Sequence, residues 1–138
     1  MKPDIADKLS REYDYFWREN LRQLPDGWLA PLLSLFDKLY KPSAIDATIA
    51  GALIPVRLHI ELTPTRAFAY AAPTVPARWW TDGRRKELID ALADFQGQTM
   101  KSCKVCGASG LTTLVSRGHQ QDGVFCNDHN QGGSNAAS

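Results

Sequence analysis

The chain has no apolar run near the roughly 18 residues that a membrane-spanning helix needs, which excludes a helical membrane anchor from its 138 residues. It also lacks charge of one sign: 16 Lys and Arg oppose 15 Asp and Glu, for a net +1. The summed field therefore has almost no sign with which to steer a polyanion or hold a membrane surface, and a nucleic-acid role would need a local basic patch. Cysteine is scarce and odd in number, 3 in all, too few for a disulfide framework. The opening residues Met1, Lys2, Pro3 and Asp4 put charge where a signal peptide would need an apolar stretch, so a cytoplasmic protein is expected. Catalytic signatures are missing too. There is no Walker phosphate loop, no Gly-x-Ser-x-Gly elbow and no His-Glu-x-x-His helix, and no enzymatic activity is expected.

What is present is a hydrophobic fraction of 43%, enough for one compact domain with a real core. From Pro3 to Leu24 the residues Ile5, Leu9, Tyr13, Phe16, Trp17, Leu21 and Leu24 recur at steps of three and four, which predicts one amphipathic helix. Pro25, Asp26 and Gly27 break it. A second helix follows from Trp28 to about Tyr40 on Leu29, Leu32, Leu33, Phe36 and Leu39, with Pro31 tolerated in its first turn. Residues 43–54 have no clear period and read as a connector or short helix. Strict alternation from Val56 to Leu62 predicts a half-buried strand. A turn at Thr63 to Thr65 and a second strand from Arg66 to Ala71 make a hairpin. After an extended loop marked by Pro73 and Pro76, Thr81 or Asp82 caps a helix to about Gly97, with Leu88, Ile89, Leu92 and Phe95 as its buried stripe. The pattern is α+β, with helices packed on a small antiparallel sheet. Residues 1–99 are expected to form the helical and hairpin region, 100–131 a knuckle subdomain whose ligands follow below, and 132–138 a small, polar, disordered tail.

Chemistry concentrates in that second segment. Cys103 and Cys106 form one Cys-x-x-pair, and Cys126 with His129 forms another. A two-residue spacer lets both side chains of a turn converge on one ion, and Gly107 can take the positive φ that closes such a turn. Strands at 111–116 and 123–125 would bring the two pairs together, and a short helix from Asn127 would present His129. Three thiolates and one imidazole fill a tetrahedral Zn²⁺ and leave no position for a reacting water, so the metal is expected to be structural. His119 is the alternative fourth ligand, although its setting from Arg117 to Gly123 reads as a loop tip. A redox Cys-x-x-Cys would leave Cys126 and His129 without a role. A base deaminase would use His59, Glu61, Cys103 and Cys106, but would leave the same two residues over.

A second candidate site is Arg78, Trp79, Trp80, Arg84, Arg85 and Lys86. Its indoles and cations suit an aromatic and arginine hot spot for a protein partner, or base stacking with phosphate contact. Basic residues in a helix's first turn cost a few tenths of a kcal/mol each, roughly, unless they pair or bind something. The bland alternative packs both indoles into the core and leaves the cations solvated.

Asp26-Gly27-Trp28, the apolar helix, the hairpin, and Ser102-Cys103-x-x-Cys106-Gly107-Ala108-x-Gly110 with a closing Cys126-x-x-His129 together resemble a family of small bacterial and phage proteins. The resemblance spans most of residues 25–130, although Pro55 to Tyr70 lacks that family's Lys-rich stretch. It implies a zinc-stabilised α+β domain acting as a small binder, such as an anti-defence inhibitor (an anti-CRISPR, for example) or an immunity-type protein. A protein partner is thus expected, nucleic acid is the alternative ligand, and no membrane partner is expected.

Overall fold

A computed structural model describes residues 1–40, 54–108, 112–115, 123–126 and 128–129. The connector expected over 43–54 (all but its last residue), the loop around His119 and the tail 132–138 lie outside the described residues. The architecture is α+β. Helices α1 (Pro3–Glu12), α2 (Leu29–Tyr40) and α3 (Asp82–Lys101) accompany a hairpin of β1 (Val56–Leu62) and β2 (Ala67–Pro73). A second hairpin pairs β3 (Thr112–Val115) with β4 (Gly123–Cys126).

The helix expected from Pro3 to Leu24 ends at Glu12 instead. Tyr13 leaves the helical region at φ −124° and ψ 40°, and a 3-10 turn, Glu19–Gln23, carries the chain onward. The spacing was compatible with one long helix, but aromatic packing decides otherwise. Tyr13 meets Phe36 at 5.0 Å and Tyr40 at 5.3 Å between ring centroids, while Phe16 meets Tyr40 edge-on at 5.1 Å. Bending the chain at Tyr13 buries the neighbours Phe16 and Trp17 together. That tertiary gain outweighs the modest propensity of an aromatic-rich segment to stay helical.

α2 matches its expected span and buries Leu32, Leu35, Phe36 and Leu39. A 3-10 turn, Asp26–Trp28, leads directly into it. α3 buries Leu88, Ala91, Phe95 and Thr99, all on one face at helical spacing. Ile89, expected in that stripe, sits about 100° round the helix from Leu88 and is 62% exposed. The helix also continues past Gly97 to Lys101, so it runs straight to the first candidate ligand.

In the first hairpin Val56, Leu58 and Ile60 face the core and Arg57, His59 and Glu61 face out. β2 extends two residues beyond its expected end, through Pro73, which pairs with Val56. Position 73 shares the register class of Ala67 and Ala69, whose amides point away from β1, so proline removes no ladder bond there. A sheet of two strands is marginal with bare edges, and side chains cover both. Thr99 Oγ1 accepts from the Ala67 amide at 3.1 Å and Gln96 Oε1 from the Ala69 amide at 2.8 Å. On the other edge Asn20 Nδ2 donates to the Ile60 carbonyl at 2.7 Å. Among the described residues no helix is long and apolar enough to cross a membrane.

Candidate metal centre

The end of α3 and the second hairpin build the site. Ser102 caps the last turn through its hydroxyl on the Gln98 carbonyl, 2.6 Å, and Cys103 follows at once, fully buried. The Cys103 amide donates to the Ala108 carbonyl and the Gly107 amide to the Cys103 carbonyl, both at 2.9 Å, which closes a tight turn. Gly107 sits at φ +80°, a conformation that other L-residues rarely adopt. Lys104 then joins the two halves, its amide donating to the Val124 carbonyl at 2.9 Å. β3 and β4 pair Thr112 with Cys126, as the expected hairpin requires, and Val124 and Phe125 are buried behind it. The expected helix at 127 begins outside the described residues. Asp128 and His129 lie in a turn whose His129 amide donates to the Cys126 carbonyl at 3.1 Å.

These turns bring the ligand atoms of Cys103, Cys106, Cys126 and His129 within 4.8 Å of one another. His129 Nδ1 lies 3.6 Å from Cys103 Sγ and 3.1 Å from Cys126 Sγ, and Cys106 Sγ lies 3.7 Å from Cys126 Sγ. That last separation is far from the roughly 2.0 Å of a disulfide, and all three cysteines are free. Four soft or borderline donors gathered around a common centre, with no bond between them, are compatible with a metal site.

The thiols differ in their electrostatics. Burial pushes the Cys103 thiol up, but hydrogen bonds from the backbone of Cys126, Cys106 and Val105 and from the Cys126 side chain outweigh it, leaving Cys103 at about 6. Cys106 has the Ala108 amide pulling it down, while its own desolvation and the sulfurs of Cys126 and Cys103 raise it above the usual thiol range. A crowded set in which one thiol ionises early and its neighbour resists is what close sulfurs without a counter-charge produce.

A feature that the sequence reading did not reach is how the turn docks on the helical body. Gly27 donates its amide to the Lys104 carbonyl at 2.8 Å. A side chain at Gly27 would collide with the Cys103 carbonyl oxygen and lie 2.6 Å from the Lys104 carbonyl carbon. A Cβ on Gly107 would in turn come within 2.9 Å of the Gly27 carbonyl oxygen. Two glycine backbones therefore lie flush, and Lys104 places its ammonium 5.8 Å from the centroid of the buried Trp28 ring. The only advance signal for this contact was the Asp26-Gly27-Trp28 break itself.

His59, which a deaminase arrangement would need, lies outside the cluster, stacked on Tyr70 across the first hairpin at 6.3 Å.

The second candidate site is divided by the fold. Trp80 joins the core, and Trp79 packs against it edge-on at 5.0 Å. Arg84 spreads over Trp79, 4.3 Å from its ring, and donates to the Trp79 carbonyl at 2.6 Å. Thr81 accepts from the Arg84 amide at 3.3 Å, the expected cap. Lys86 pairs with Asp90 at 2.7 Å one turn on. Arg78 and Arg85 are exposed. Searches against family models, curated proteins and solved structures found no match to this chain.

Proposed function

We propose that Cys103, Cys106, Cys126 and His129 hold one structural Zn²⁺, and that the chain is a non-enzymatic protein that binds and blocks a protein partner through the Arg78 to Lys86 surface. The spacing of the ligand atoms supports the metal assignment. With Zn–S near 2.3 Å and Zn–N near 2.0 Å, a regular tetrahedron has S···S edges of about 3.8 Å and S···N edges of about 3.5 Å. The 3.7 Å and 3.6 Å separations lie close to these values, every ligand atom is within 4.8 Å of the others, and the 3.1 Å edge between Cys126 and His129 would open on metal uptake. Four protein ligands leave zinc no vacancy for substrate, which supports a scaffold role rather than a catalytic one.

The partner surface is supported by Arg84 lying over the Trp79 indole, with exposed Arg78 and Arg85 near them in sequence, residue types enriched at protein hot spots. Blocking, against a defence complex or a toxin, follows from the resemblance of the knuckle to small bacterial and phage binders. Affinity isolation from the native host, followed by reconstitution with the purified partner, tests the reading. Arg78→Glu with Arg85→Glu should abolish the complex and leave metal content and thermal unfolding unchanged; undiminished binding by that double variant sinks the placement.

One observation favours nucleic acid as a second ligand. On the outer face of the first hairpin, Phe68 and Tyr70 stack at 6.4 Å and Tyr70 stacks with His59, while the Arg66 guanidinium lies 4.2 Å from the Phe68 ring. Such a row offers π-faces to unpaired bases, with Glu61 on the same face opposing the phosphates. A salt-dependent shift of single-stranded DNA or RNA, lost in Tyr70→Ala, is the expected result; no shift at low salt removes this reading.

A further inference from the structure

A groove of about 300 Å³ opens between the end of β2, the loop after it and the first turns of α3. Pro73, Val75, Trp80, Leu88 and Ile89 form its walls, and among the described residues Arg85 is the one charged side chain lining it. We infer that this groove receives an apolar side chain from a short acidic segment of the partner, a conclusion that rests on the protein-binding reading above and names the partner's chemistry.

Three observations converge on that occupant. The first is shape and polarity. A concavity of this size is too small for most cofactors and suits one or two large side chains. Ile89, 62% exposed on its rim, adds apolar surface that only an occupant would remove from water. The second is an orphan donor. Trp80 is 8% exposed, and its Nε1–H is buried with no acceptor among the described residues. An unpaired buried donor costs about 1–3 kcal/mol, so an occupant that parts the side chains over it and brings a backbone carbonyl within reach would recover that cost. The third is charge. Among the described residues no carboxylate pairs with Arg78 or Arg85, whereas Lys86 is engaged by Asp90 and Arg84 by Trp79. Of these two, Arg85 lines the groove in the first turns of α3, where the helix dipole also favours negative charge, and Arg78 adjoins the lining residue Ala77 in sequence. An apolar anchor with carboxylates beside it satisfies all three, and a basic or uncharged segment satisfies at most two.

The probe is a capped peptide with a central Leu-Phe pair and two glutamates on each side, added to the intact metal-loaded protein. Its controls replace the glutamates with lysines or the Leu-Phe pair with serines. The acidic peptide should shift the Trp80 indole N–H resonance, assigned by its disappearance in Trp80→Phe, and bind at least about tenfold tighter than either control. Ile89→Asp should weaken it by about tenfold, and Arg85→Glu should reverse the preference toward the lysine peptide. Equal binding of all three peptides, or an unmoved indole resonance, overturns the proposal. So does a concentration-dependent dimer that Ile89→Asp dissociates, because a second copy would then be the occupant. Partner binding that survives Ile89→Asp but is lost in Arg78→Glu would remove the groove and keep the broader surface; partner binding indifferent to both would remove the surface as well.

Discussion

Substituting Gly27 by alanine should weaken a metal site that Gly27 does not itself ligate. In the folded chain its amide is hydrogen-bonded to the Lys104 carbonyl at 2.8 Å, and the position of a Cβ is already occupied by the Cys103 carbonyl oxygen. The obstacle is backbone on both sides, so no side-chain rotation relieves it. The 103–107 turn must retreat, breaking the hydrogen bond, worth about 1 kcal/mol net. Overpacking at a tight contact adds about 1–3 kcal/mol. A combined penalty of about 3 kcal/mol, if it falls wholly on the docked, metal-ordered state, is about a hundredfold in metal affinity. Competition against a chromophoric chelator reads the affinity directly, and thermal unfolding with and without metal reads the same coupling from the other side, since anything that binds only the folded form raises its melting temperature. Gly97→Ala is the matched control. A Cβ there meets nothing within 4 Å inside α3, so the change should stabilise the protein by about 0.5–1 kcal/mol and leave metal affinity alone. Wild-type affinity in Gly27→Ala would refute the claim that knuckle and helical body form one unit.

Purified protein should carry about one Zn²⁺ per chain by elemental analysis, and Cys103→Ser or Cys126→Ser should lose it; wild-type protein that takes up no metal when Zn²⁺ is supplied would count against the centre. With the metal removed, ultraviolet thiolate absorbance should show one thiol ionising near pH 6, and that step should vanish in Cys103→Ser. Because this folded-state value is depressed below the ordinary 9.0, the thiolate's stabilising contribution is complete above that value and fades as pH falls through about 6, which denaturant titrations of the metal-free protein across that window should register. Thr99→Val should expose what the hairpin edge owes to α3. It leaves the buried Ala67 amide without its acceptor, at a cost of about 1–3 kcal/mol by denaturant unfolding, and an unchanged midpoint would contradict the edge-capping role.

Much of this was legible from the chain because the relevant patterns are local. The alternation from Val56 to Leu62 and the apolar spacing of α2 gave those elements nearly to the residue. The four candidate ligands stood out because short-spaced pairs can converge only on a shared centre. What escaped was set by contacts distant in sequence. Tyr13 ends α1 because Phe36 and Tyr40 lie across the core, and no helical period carries that information. Leu88 and Ile89 are adjacent apolar residues that cannot both point inward, and only the packing of α3, which buries Ala91, Phe95 and Thr99, against the hairpin and α2 chooses Leu88. In the sequence Gly27 is a helix breaker. Its second role, letting one backbone lie against another, becomes visible only with Cys103 and Lys104 in place.

α3 ties the two sites together and also keeps them apart. Its first turns border the groove, and its last residue, Lys101, stands two positions before Cys103. Twenty residues of helix span about 30 Å, so a metal at one end exerts no direct chemistry at the other. Its influence must pass through order. Thr99 and Gln96, which close the edge of β2, lie within two turns of the first ligand, so loosening the knuckle frays the segment that holds the hairpin to the helix. Groove and metal should therefore be coupled through stability rather than through geometry. Chelation should lower the temperature up to which the Leu-Phe peptide is bound, yet leave its affinity unchanged below the onset of unfolding. An affinity that falls in step with metal loss while the protein remains folded would place the coupling in the groove itself.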